Sequence, residues 1–104
     1  FPIWLAPVQA VITTITSDID DYAYKVLEEC KKVGLRAAVD TRNEKINYKI
    51  REHSNAKIPV ILVVGTKEQE NETVAMRRLG GKSQEILALD DAINTLLKES
   101  TPPS

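Results

Sequence analysis

The stretch Ile58–Gly65 reads IPVILVVG and constrains the fold more than any other part of the chain. From Val60 to Val64 no polar side chain interrupts it, and four of those five residues are β-branched. A strand with one wet face would alternate. An unbroken apolar run of this length, stopped by a glycine, is the pattern of a strand buried on both faces of an α/β sheet. Such a strand needs helices above and below it, and the rest of the chain must supply them.

Val8, Val11, Ile12, Thr13, Thr14 and Ile15 mark another strand, which Pro7 can only begin. Ser17 with Asp20 three residues on resembles a capping box, and Ile19, Ala23, Val26, Leu27, Cys30 and Val33 then recur at helical spacing up to Gly34 as the C-terminal cap. Leu35, Ala37 and Val39 alternate toward Asp40 as a short strand, and Ile46, Ile50 and His53 form one face of a short helix. After Gly65, TKEQE reads as a polar turn. ETVAMRR and SQEILAL flank Gly80-Gly81 as a hairpin, and a last helix capped by Asp90 or Asp91 carries Leu89, Ala92, Ile93, Leu96 and Leu97. The order strand, helix, strand, helix, strand, hairpin, helix predicts an α/β fold in three layers, with a mixed five-stranded sheet and three helices. Residues 1–99 form one domain in this reading, and 100–104 a disordered tail.

Fourteen Lys plus Arg against fifteen Asp plus Glu leave a formal net charge of -1, so any affinity for a polyanion must be local. It is concentrated. Between residues 42 and 57 stand five cations (Arg42, Lys45, Lys49, Arg51 and Lys57) against Glu44 and Glu52. In an open sheet a ligand crevice lies at the carboxyl ends of the parallel strands, where segments 40–45 and 65–68 meet. No glycine-rich phosphate cradle follows any strand. A lone His53 has no neighbour at metal-ligand spacing, the single Cys30 falls on a core face, and no nucleophile, base and oxyanion set assembles. The domain is therefore expected to hold no catalytic residues, metal or cofactor. No apolar run approaches a membrane span, and the chain fits the cytoplasm. Its start, FPIWLAPVQ without Met, looks like a cut from a longer protein, with Phe1, Ile3 and Trp4 packing on a neighbouring domain.

What remains is a surface with donors and acceptors. Asn43 and Glu68 can make paired hydrogen bonds to a base edge and Arg77 can do so bidentately, while Lys45, Lys49 and Arg51 suit phosphates. Carboxylates and amides of this kind read unstacked RNA loop bases through their Watson–Crick edges.

FPIWLAPVQ, DTRNEKINYKIRE and IPVILVVGTKE…TVAMRR closely resemble, in order and spacing, the C-terminal anticodon-binding domain of bacterial-type threonyl-tRNA synthetase. The match runs from Phe1 to about Lys98. The resemblance implies a three-layer α/β/α domain that grips the anticodon stem-loop of threonine tRNA. It further implies a separate catalytic core, using ATP, Mg and Zn, in a homodimeric parent ligase. In the family, residues matching Asn43, Arg51, Glu68 and Arg77 face the anticodon and read its guanine and uridine. Arg42, Lys45 and Lys49 are added as backbone contacts, and Gln9 as a structural part of its motif. Asn47 stands where the family often has glycine, in what would be a turn, while Thr41 and Val60 replace a common Leu and Tyr. Two alternatives remain: an accessory protein-interaction domain with the same fold, and the equivalent domain of another class II synthetase such as prolyl.

Overall fold

The computed structural model describes residues 6–41, 44–78 and 84–100, with the side chains of Ser17 and Ser100 outside that description. Five strands, β1 (Ala10–Thr14), β2 (Ala37–Asp40), β3 (Val60–Val64), β4 (Thr73–Arg78) and β5 (Gln84–Ala88), form one sheet in the order β2-β1-β3-β4-β5. β1 is parallel to β2 and β3, whereas β4 runs antiparallel to both β3 and β5. The mixed five-stranded sheet expected from the sequence is therefore present, and every residue of β1 and β3 is buried.

Both faces are covered, as β3 requires. On one face α1 (Asp20–Lys32) and α4 (Leu89–Ser100) pack Tyr22, Ala23, Val26, Leu27, Cys30, Ala92, Ile93 and Leu96 against Ile12, Leu62, Val74 and Met76. On the other, α2 (Ile46–Asn55) lays Ile46 and Ile50 over Val11, Ile61, Val63 and Ala75.

Four local expectations change, the smallest being that Asp90 and Asp91 lie within the first turn of α4, which begins at Leu89, and do not cap it. The segment after Gly65 is not a turn but a helix, α3 (Thr66–Asn71), which makes four helices rather than three. None of its residues is buried, so it shows no hydrophobic periodicity; it forms from good helix formers (Lys67, Glu68, Gln69, Glu70) and ends where Glu72 turns left-handed at φ 53. α1 begins after a 3-10 turn at Ser17–Ile19, and Ile19, not Ser17, occupies its cap position without a side-chain cap bond. Its far end follows the sequence: Gly34, at φ 86, donates to Lys31 O and Leu35 to Cys30 O, while Val33 is left exposed. Asn47 lies in the first turn of right-handed α2, so no turn is needed there. The Gly80-Gly81 turn, the N-terminal Phe1, Ile3 and Trp4, and residues 101–104 of the expected tail lie outside the described residues; Ser100 closes α4.

Candidate nucleic-acid interface

The connection from β1 crosses to β2 at one side of the sheet and that from β3 leads to β4 at the other, so the chain parts above the carboxyl ends of β1 and β3. That divergence is where open α/β sheets leave a crevice. Ile15 N donates to Val64 O at 3.1 Å as the last rung between the two strands. Gly65 then turns β3 into α3 in tight quarters, because a Cβ there would stand 2.8 Å from Ile15 Cδ1 and 3.4 Å from Glu68 Oε2. Glu68, half-buried, thus lies close to Gly65 and Ile15, and Ile15 is 46% exposed.

The second lip is the segment leaving β2. Asp40 is buried, with Oδ2 2.7 Å from His53 Nε2; Thr41 is half-buried; Lys45, exposed, takes the cap position of α2. Lys45 and the positive end of the α2 dipole both favour an anion there, and no acidic residue lies in the first turn of α2. Arg42 and Asn43 lie outside the described residues.

Lys49 is not where the sequence put it. Expected as a phosphate contact, it is only 1% exposed, and its ammonium donates to Thr14 O (3.1 Å), Thr14 Oγ1 (3.3 Å) and Asp40 O (3.5 Å). A phosphate cannot reach it in this arrangement. The physical reason is helical phase: Ile46, Lys49, Ile50 and His53 share the sheet-facing side of α2, whereas Tyr48, Arg51, Glu52 and Asn55 turn outward around a shallow cleft of about 160 Å³. Arg51 and Tyr48 (51% exposed) are open to solvent.

Arg77 is half-buried and lies opposite Ile61 of β3 and Gln84 of β5. Residues directly opposite in antiparallel strands share a face, so Arg77 joins Ile61 on the α2 side of the sheet. It stands near the amino ends of the parallel strands, three residues and so roughly 10 Å along β3 from Val64. Glu68 follows β3 and Asp40 ends β2, so both stand at the carboxyl ends of the parallel strands with β1 between them, while Arg77 is set apart along the sheet face. Ile86, opposite Ala75 on that face, is 67% exposed, which shows that α2 leaves β5 uncovered. Neither Ile86 nor Tyr48 stood out in the sequence; an apolar residue out of phase with its element's buried face is the only signal either carries.

Nearby groups support rather than bind. Gln9 is buried in a two-way pairing with the Arg36 backbone, Gln9 N donating to Arg36 O (2.7 Å) and Gln9 Oε1 accepting from Arg36 N (2.9 Å). The Tyr22 hydroxyl donates to Thr73 O at 2.7 Å, and burial, then Glu72 and Glu68, push its pKa up to about 12. Burial, with Glu29 adding, raises the Cys30 thiol to about 11, which keeps it an inert core group. Among the described residues no group of three or more His, Cys, Asp or Glu is placed to hold a metal, and no helix is long and apolar enough to cross a membrane.

Residues 9–99 match the family model described as "Anticodon binding domain". Among curated proteins, the threonine–tRNA ligases of Rhodospirillum rubrum and Caulobacter sp. (strain K31) are 68% and 65% identical over 99% and 98% of this chain. The chain spans 16% of the length of each of them. The RNA-binding domain of threonyl-tRNA synthetase from Cryptosporidium parvum superposes with a TM-score of 0.92 at 31% identity, over 98% of this chain and 26% of that one. Prolyl-tRNA synthetase from Cryptosporidium parvum shares the fold at a TM-score of 0.83 and 22% identity, over 95% of this chain and 22% of that one. This chain belongs to the anticodon-binding domain family, in the form that the threonine–tRNA ligases carry.

Proposed function

We propose that the chain binds the anticodon stem-loop of threonine tRNA and so presents that tRNA to the catalytic part of a parent threonine–tRNA ligase. The observation that carries this reading is the match of nearly the whole chain to threonine–tRNA ligases, and Glu68 just beyond β3 with exposed Lys45 at the start of α2 supports it. Glu68 accepts from a guanine edge, Asn43 pairs with a second base, Arg51 and Arg77 approach the anticodon from α2 and the sheet face, and Arg42 and Lys45 meet phosphates. The chain itself is not catalytic in this reading. Activation of threonine with ATP, and the Mg and Zn that serve it, belong to the parent's catalytic core in a cytoplasmic homodimer. The prolyl alternative has the weaker support, a likeness of fold alone.

The test is a binding comparison. The chain should prefer a threonine anticodon stem-loop over one with the anticodon guanine replaced and over a proline stem-loop, with affinity falling as salt rises. Equal binding to all three would overturn the reading. Binding to none, with self-association instead, would favour the accessory protein-interaction alternative.

A further inference from the structure

We infer that Lys49 is a positioning residue for anticodon reading, one that sets the crevice without touching RNA; this rests on the proposed function above. Among the described residues it is the largest side chain that is fully buried, and its three ammonium donors meet three oxygens. Those oxygens belong to Thr14 and Asp40, the last residues of β1 and β2. Beyond Thr14 the chain continues into Ile15 at the crevice. Beyond Asp40 it continues into the segment that carries Arg42 and Asn43.

A methionine would fill the same volume without the cost of burying a cation. What the ammonium adds is direction. It ties the ends of two strands and the second turn of α2 to one point, and His53, one turn further along, ties the same helix to the Asp40 carboxylate. Asp40 and Lys45 are then both tied to Lys49, since Asp40 O is held by Lys49 Nζ and Lys45 O accepts from Lys49 N at 3.1 Å. Any slip of α2 would move Arg51 and strain the ties to Asp40 together. The cation counted in the sequence as one more rail for phosphate acts from beneath the site.

The experiment compares two RNAs, a threonine anticodon stem-loop and the same loop with its guanine replaced by adenine, on the wild-type chain, Lys49→Met and Thr14→Val. Thr14→Val leaves every cation in place and removes one acceptor. Binding is followed by fluorescence anisotropy over a salt series, below the melting transition of each variant as read by circular dichroism. Lys49→Met should lose about tenfold of the preference for guanine while the slope of log affinity against log salt stays at the wild-type value. Thr14→Val should lose part of the same preference, and it decides the matter alone if Lys49→Met does not fold. An equal loss of affinity for both RNAs with a slope shallower by roughly 0.7–0.9, the signature of one lost phosphate contact, would overturn the inference. So would an intact preference in both variants with only a lower melting temperature. A wild-type chain that ignores the guanine would overturn the anticodon reading itself, which separates the two failures.

Discussion

Thr13 sits in the middle of the buried sheet with no exposure, and among the described residues its Oγ1 has no hydrogen-bond partner. A buried hydroxyl without a partner costs its desolvation, so Thr13→Val, nearly the same shape, should stabilise the fold by about 1 kcal/mol. For a chain of this size that raises the melting temperature by roughly 4–8 °C, which a thermal melt would show. A second local cost lies at Glu72, left-handed at φ 53, where its exposed pairing with Lys25 at 3.6 Å offsets little. Glu72→Gly is expected to gain about 0.5–1 kcal/mol. The same substitution removes a negative charge that raises the Tyr22 pKa, so the phenol should titrate lower in an ultraviolet absorbance titration. Neither effect was legible from residue type. A threonine in a β-rich stretch and a glutamate in a polar stretch look ordinary until the register and the backbone angles are known.

Among the elements, β3 is the one whose place followed directly from its residues, because only a strand covered on both faces can be apolar at every position. Leu62, wholly buried at its centre, should cost about 2–5 kcal/mol when cut to Ala, measured by denaturant unfolding. α1 and β4 are joined by the Tyr22 to Thr73 hydrogen bond, and Tyr22→Phe should cost about 1 kcal/mol. The pH dependence has a definite sign. Folding raises the Tyr22 pKa from 10.0 to about 12, so the folded chain keeps a proton that the unfolded chain releases. The contribution is whole below pH 10 and is lost as pH rises toward 12; Tyr22→Phe should therefore flatten the fall in melting temperature over that window. Cys30, raised from 9.0 to about 11, adds a fall that begins earlier. α3 escaped sequence reading for the opposite reason to β3. With none of its residues buried, nothing periodic marks it, and local helix propensity with a left-handed stop at Glu72 makes it a helix.

For the whole molecule, a net charge of -1 means that binding to RNA depends on how the charges are placed rather than on their sum. Glu68→Gln should relax the preference for the anticodon guanine by about 1–3 kcal/mol while leaving the salt slope unchanged, as filter binding against substituted stem-loops would report. Residue order alone determined the layer architecture, the mixed sheet and the parallel pairing of β1 to β3, because burial on both faces and short β-to-α connections leave few arrangements. Composition also located the basic segment between residues 42 and 57. Only the tertiary structure decided which of its cations face outward. Lys49 and Arg51 are two residues apart and chemically alike, yet a helix turns about 100° per residue, so one points into the sheet and the other to solvent. The same holds for Arg77, whose distance from Glu68 is set by the antiparallel register of β4 against β3, a pairing between segments that no local pattern specifies.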